Sequence, residues 1–138
     1  MYQVTDYINV NTNGKSLIEI SNEINLWILK NNLVKGILNI YILHTSASLL
    51  IQENADPDVL EDLLTFYSQL APTNKSYKHQ SEGKDDMPAH IKSSLGSTSL
   101  SLSIQSKRLI LGTWQGIFLF EHRENPMKRK INLHFIGE

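Results

Sequence analysis

The 138 residues suit one domain, 1–138, long enough for an ordinary hydrophobic core without disulfides or metal staples. With 41% hydrophobic and 20% charged residues the composition is globular, and a net charge of −1 offers no global basic field for a nucleic-acid partner. There is no cysteine, which excludes disulfides, thiolate metal sites and cysteine nucleophiles, so a transition-metal site must use His, Asp or Glu.

The opening MYQVTDYINV has no basic segment followed by an apolar one, and no apolar run approaches the roughly 20 residues that span a bilayer. A cytoplasmic protein with no membrane partner is the expectation. YQVTDYINV is rich in β-branched and aromatic residues and reads as a strand, NTNG (11–14) as a turn, and KSLIEI as a second strand. Ser21 suits a helix N-cap, and Ile24, Trp27 and Ile28 recur at helical spacing over 22–32. GILNIYILHTSASLLIQE (36–53) reads as two strands, or as one bent near Thr45–Ser48.

Asp56-Pro57 is a helix start: the aspartate caps free N–H groups and proline fits the first helical position. Leu60, Leu63, Leu64, Tyr67 and Leu70 then form an apolar stripe. A polar stretch, YKHQSEGKDDMPAH (77–90), leads into a short helix that Asp85 or Asp86 would cap and Gly96 would end. TSLSLSI alternates as a half-buried strand, RLILGTWQGIFLFEHR is apolar in both phases and reads as a strand covered on both sides, and KRKINLHFIG alternates again. The last strands can pair as a meander. The fold class expected is α+β, a mainly antiparallel sandwich or barrel-like sheet system with two to three packed helices.

Histidines mark the candidate chemistry. In strand phase His44 shares a face with Ile40 and Ile42, an inward position where a lone imidazole is most often satisfied by a backbone carbonyl. His79 and His90 bracket a loop containing glycine. Their spacing is no metal signature by itself and is compatible with two surface histidines. Together the three imidazoles can hold a divalent ion, with Asp86, Glu82 and Asp56 orienting them. GTWQG (112–116) places two glycines in a strand, as at a bulge or a close approach, beside the flat face of Trp114 and the amide of Gln115. Glu121 lies in phase with Gln115, and His122 in the opposite phase. HTSAS offers the hydroxyls of Thr45, Ser46 and Ser48 without a nucleophile elbow around them. Lys128, Arg129 and Lys130 read as a solvated strand end or, with Arg123, as a phosphate contact.

Three segments, HTSASLLIQENADPDV, HQSEGKDDMPAHIKSSL and LGTWQGIFLFEHR, resemble the YjbQ family, also called secondary thiamine-phosphate synthases. The resemblance spans essentially the whole chain. It implies an α+β homotrimer with pockets near subunit contacts. It also implies metal ligation by His44, His79 and His90, catalytic carboxylates at Glu53, Asp56, Asp86 and Glu121, and substrate binding by Thr45, Asn54, Trp114 and Gln115. Many relatives carry Gly-Pro-Arg after the glutamate where this chain has HRENPMKRK, so no phosphate role carries over to Arg123 or Arg129. The implied activity couples a hydroxymethylpyrimidine pyrophosphate with a thiazole phosphate, with a small phosphorylated substrate as partner. Zn²⁺ suits three imidazoles, whereas Mg²⁺ suits pyrophosphate departure through carboxylates. Two other readings stand beside it: a metal-dependent hydrolase of a phosphorylated or amide metabolite, with Glu53 or Glu121 as general base, and a trimeric metabolite- or metal-binding protein without catalysis.

Overall fold

A computed structural model describes all residues, 1–138. The chain runs β1 (Tyr2–Asn13), β2 (Ser16–Glu19), α1 (Ser21–Lys30), β3 (Lys35–Ile42), β4 (Ala47–Glu53), α2 (Pro57–Leu70), α3 (Asp86–Leu95), β5 (Ser99–Gln105), β6 (Arg108–Leu109), β7 (Gln115–Glu121) and β8 (Pro126–Gly137). The strands form two antiparallel sheets, a five-stranded one ordered β1-β8-β3-β5-β6 and a three-stranded one ordered β2-β7-β4. The α+β architecture with curled antiparallel sheets and three helices is the one expected. No helix is long and apolar enough to cross a membrane.

Period-two patterning builds the core. Leu38, Ile40 and Ile42 of β3 and Ile131, Leu133 and Phe135 of β8 point inward and are fully buried. Leu49 of β4 and Ile117 and Leu119 of β7 meet them from the smaller sheet, and Ile24, Trp27 and Ile28 close one side from α1. The serines of β5 face solvent while Ile104 is buried.

Three expectations shift. The turn at 11–14 contracts to Gly14–Lys15, because Asn11, Thr12 and Asn13 pair with Lys128, Met127 and Pro126, and Gly14 takes the positive φ of +97°. The long apolar run 108–123 is broken: β6 ends at Leu109 and β7 begins at Gln115, and Ile110 and Trp114 between them are exposed. Only β7 is covered on both faces, by the core at Ile117 and Leu119 and by α2 at Phe120, whose ring lies 4.9 Å from Tyr67. For that reason β7 takes the centre of the smaller sheet while β8, apolar on one face, joins the larger. The expected meander therefore holds for β5–β6 and fails for β7–β8.

Ser21 is the first helical residue rather than a cap. Its Oγ accepts from Ile117 N at 2.8 Å and donates to Glu19 Oε2 at 2.9 Å. Asp56 caps α2 as expected, accepting from Asp58 N at 2.9 Å with Pro57 behind it. The apolar stripe of α2 is only half covered: Leu60, Leu63, Leu64 and Tyr67 are intermediate, and no residue of the helix is fully buried.

One ion pair joins the sheets. Arg129 of β8 donates to Glu121 of β7 through Nε (2.8 Å) and Nη2 (2.5 Å), and Thr12 Oγ1 of β1 adds a third bond at 2.5 Å. Both charged side chains are buried, so removing one partner strands the other charge in the core. Arg129→Met is expected to cost about 3–5 kcal/mol in urea denaturation, with most of it recovered in the Glu121→Gln/Arg129→Met double variant.

Candidate metal centre

α2 carries the chain back along the smaller sheet over 14 residues, about 21 Å, from the Glu53 end to the Glu121 end. There a polar loop turns at Gly83 (φ +107°) and enters α3 at Asp86. Asp86 and His90 are four residues apart and so share a helix face, and His79 arrives from the loop. Asp86 Oδ2 lies 2.6 Å from His79 Nε2 and 3.1 Å from His90 Nε2, and Glu82 Oε2 lies 3.6 Å from His79 Nε2. These four side chains form a group that could hold a metal ion, with ligand atoms all within 4.8 Å of one another.

Asp86 is almost completely buried, and Arg123 Nη1 meets its Oδ1 at 2.8 Å. Burial pushes its carboxyl up, but the His79 hydrogen bond and the charges of His90 and Arg123 hold it below the usual carboxylate range. Asp85 holds the N-cap position without capping α3. Its Oδ2 instead accepts from Arg123 Nε and Glu124 N, both at 2.9 Å, tying the helix start to the β7–β8 corner. Asp85 thus takes the N-cap position expected of it, but its carboxylate serves the corner rather than the free N–H groups of the helix.

His90 carries the plainest sign of a cation. Its Nδ1 is 2.9 Å from Thr45 O and its Nε2 is 3.1 Å from Asp86 Oδ2, so both ring nitrogens face acceptors. A neutral imidazole has one N–H and meets only one of them. The other contact is repulsive unless a proton or a metal ion lies in it.

The expected set of three histidines divides. β3 ends at Ile42, before His44, and the chain turns where Leu43 N bonds Lys130 O at 3.1 Å. His44 therefore leaves the inward row of Ile40 and Ile42. Its Nε2 accepts from Lys130 N at 2.7 Å, which engages the lone pair a metal would need. Burial and the Arg129 charge hold its pKa below the ordinary value, against the opposing charge of Glu121. With Thr45 and His90 it lines a neighbouring cleft of ≈290 Å³.

The remaining expected residues gather elsewhere. Glu53 pairs with Gln115 at one end of the smaller sheet and Ala47 with Glu121 at the other. The seven residues of β4 separate these ends by about 20 Å. Asn54 N donates to Trp114 O (3.0 Å), Gln115 Oε1 accepts from Gly112 N (2.7 Å), and Glu53 Oε2 accepts from Asp56 N (3.3 Å). Trp114 stands 63% exposed. Glu19, unmarked in the sequence, joins this group: Asn54 Nδ2 donates to its Oε2 at 3.1 Å, and a Cβ at Gly116 would collide with that oxygen. The glycine is thus the close approach that GTWQG suggested.

Residues 6–138 match the family model described as "UPF0047 protein YjbQ-like". A UPF0047 protein of Synechocystis is 47% identical over 137 residues, covering 99% of this chain and 93% of its own. The UPF0047 protein YjbQ of Salmonella typhimurium is 50% identical over 103 residues, 75% of each chain. The chain belongs to the YjbQ-like UPF0047 family. Solved structures agree: a YjbQ/UPF0047 protein of Clostridium acetobutylicum superposes with a TM-score of 0.84 at 32% identity, over 96% of this chain and 99% of that one. A hypothetical protein of Aeropyrum pernix gives 0.89 at 27% identity, over 98% and 99%.

In this YjbQ-like chain Glu121 does not face a substrate. Its oxygens accept from Thr12, Arg129, His122 N (3.0 Å) and Arg123 N (3.1 Å), all within the protein. That saturation corrects the catalytic role expected for it, because no lone pair is left to take a proton. Arg129 is likewise consumed in the core, and Arg123 by Asp85, Asp86 and Glu82 O, so neither is free for a phosphate.

His122 is buried beside Glu121 on the α2 face, its ring 4.3 Å from Phe120 and its Nε2 3.0 Å from Ser48 Oγ. Nδ1 has no partner. Burial, with the Lys92 and Arg129 charges, lowers its pKa from 6.5 to about 3. The unfolded chain therefore binds a proton that the folded chain refuses, and stability falls as pH drops from 6.5 toward 3. His44, shifted the same way, adds to that loss. Between pH 6.5 and about 5, above the carboxylate range, urea melts are expected to show a slope of up to about 1.4 kcal/mol per pH unit that His122→Phe largely removes.

Proposed function

We propose that the chain is a metal-dependent enzyme acting on a small phosphorylated molecule, with the ion held by His79, Glu82, Asp86 and His90. The observation that carries this reading is His90, whose two ring nitrogens both face acceptors and so leave the Asp86 side to a proton or a metal ion, with His79 and Glu82 placed to complete a set of ligands. Two imidazoles with two carboxylates are the donor set of Zn²⁺ rather than of Mg²⁺, which prefers oxygen alone. Bound there, the ion would supply a Lewis acid for a phosphate oxygen or an activated water. The Thr45 carbonyl orients His90, and Arg123 balances the charge of Asp86 from the side away from the imidazoles. Purified protein is expected to carry about one zinc per chain by elemental analysis, with affinity lowered at least about tenfold by His79→Ala or Asp86→Asn and unchanged by His44→Ala. Full zinc affinity in both of the first two variants would sink this reading.

The reaction proposed is the coupling of a pyrimidine pyrophosphate with a thiazole phosphate, as in thiamine-phosphate synthases. A planar pyrimidine asks for an aromatic face, and Trp114 is exposed and ready for one. Yet it stands about 20 Å from the histidines within one chain. We propose that head-to-tail neighbours in a homotrimer bring the Trp114 end of one copy to the His79/His90 end of the next. In that case His90→Ala and Trp114→Ala, each inactive alone, regain about a quarter of wild-type activity when refolded together, since half the ends of each kind are intact. No recovery on mixing would overturn the shared site. Hydrolysis of a phosphorylated metabolite within one chain is the second reading. The placement of the exposed Trp114 at the opposite end of the smaller sheet from the cluster favours it, and turnover without any pyrimidine substrate would decide for it.

A further inference from the structure

The cluster is flanked by two clefts, and its imidazoles divide them. His90 lines the smaller, whose other walls are His44 and the hydroxyls of Thr45, Ser93, Ser94 and Thr98, with no Lys, Arg, Asp or Glu. His79 lines the larger, ≈460 Å³, formed by the 73–84 loop with Asn74, Lys75, Tyr77, Gln80 and Lys84 among its walls.

The larger cleft is cationic and polar. No carboxylate lines it, and Tyr77 is its one apolar wall. Lys75 and Lys84 take part in none of the chain's ion pairs. The loop is knitted by its own bonds: Tyr77 Oη donates to Pro72 O at 2.8 Å and Gln80 Nε2 to Tyr77 O at 2.5 Å, and Gly83 turns the chain back. A concave wall that is already shaped and carries two uncompensated ammonium groups concentrates anions and gives them charge-assisted hydrogen bonds. So few apolar walls offer little to a flat aromatic ligand, and the volume lies in the range of small-molecule sites. The nearby carboxylates are already engaged: Glu82 and Asp86 with the imidazoles of the cluster, and Asp85 and Asp86 with Arg123.

We infer that the 73–84 cleft is an oxyanion subsite, which seats the phosphate of a small molecule between Lys75 and Lys84 and presents the adjoining bond toward His79. This deepens the reading of His79, Glu82, Asp86 and His90 as a metal centre and rests on it for the direction of the substrate. It also gives the metal centre a specificity element that one chain supplies alone.

Amide chemical-shift titration of the full chain, stripped of metal and held at constant ionic strength, tests it with inorganic phosphate as the probe. Saturable shifts centred on residues 74–84 are expected, with affinity weakened about tenfold in Lys75→Gln/Lys84→Gln. The control Lys30→Gln/Lys35→Gln, which removes the same charge from the C-terminus of α1 and the end of β3 opposite His44, keeps the wild-type affinity. Shifts that do not saturate, or equal affinity in all three proteins, overturn the subsite. Succinate, titrated in parallel, separates the sources of the anion: binding as tight as that of phosphate would overturn the phosphate assignment in favour of a carboxylate. Zinc binding, measured on the same samples, keeps the two readings apart. Phosphate shifts in a chain that takes no zinc leave the subsite standing and remove the metal. Zinc uptake without phosphate shifts does the reverse.

Discussion

The buried pair of Glu121 and Arg129 is the constraint on which the rest of the molecule hangs. It is the point where the two sheets are joined by charge rather than by apolar packing. Both residues radiate bonds toward the candidate site. Arg129 Nη2 donates to the carbonyl and the hydroxyl of Ser46 at 3.1 and 3.0 Å, which pins the turn carrying His44 and Thr45. Glu121 accepts from the backbone N–H groups of His122 and Arg123 and so fixes the corner from which Arg123 reaches Asp85 and Asp86. A charge pair is a poor device for stability alone, because desolvation offsets much of its attraction. Here it sets the positions of two loops against each other, which an apolar contact of equal area would do less specifically.

From this anchor the geometry of the cluster follows in short steps. Arg123 engages one oxygen of Asp86 and leaves the other for the imidazoles. Thr45, held through its neighbour Ser46, turns the Nδ1 side of His90 away from the cluster and its Nε2 side inward. The histidine and the aspartate are thus oriented by different strands that the same ion pair ties together. The 73–84 loop makes the remaining contribution: it brings His79 and Glu82 and shapes the cleft beside them.

What could be read from the sequence was whatever rests on local periodicity or on neighbours within one turn. The alternation of β5, the Asp56-Pro57 start of α2 and the buried face of α1 were all legible. So was the nearness of His79, Asp86 and His90, because a helix places i and i+4 on one face and the loop before it is short. His44 was not, since its position depends on where β3 stops, and that is set by the backbone of Lys130, 86 residues away in the chain. Nor was the role of Glu121: its partner is only eight residues on, but the chain changes sheets between them. The phase argument that set Glu121 and His122 on opposite faces was sound, and both faces turned out to be buried, one by the core and one by α2.

The separation of Trp114 from the histidines has the same origin and a larger consequence. In the sequence GTWQG leads directly into Glu121 and the histidine-bearing corner, so proximity along the chain suggests proximity in space. β7 is extended, however, and seven extended residues carry the chain from one end of the smaller sheet to the other. Earlier in the chain α2 returns from β4 over the same distance, and β4 and β7 are antiparallel, so that the segments after β4 and before β7 share one end and the segments before β4 and after β7 share the other. Each end has its own polar equipment: Glu19, Glu53, Asn54 and Gln115 around an exposed indole, against His79, Glu82, Asp86 and His90 around a candidate ion site. Neither end resembles a core feature, since charged and amide groups clustered there contribute little to burial. Two equipped ends on one short sheet are economical if they serve one substrate between successive copies, and redundant if they do not.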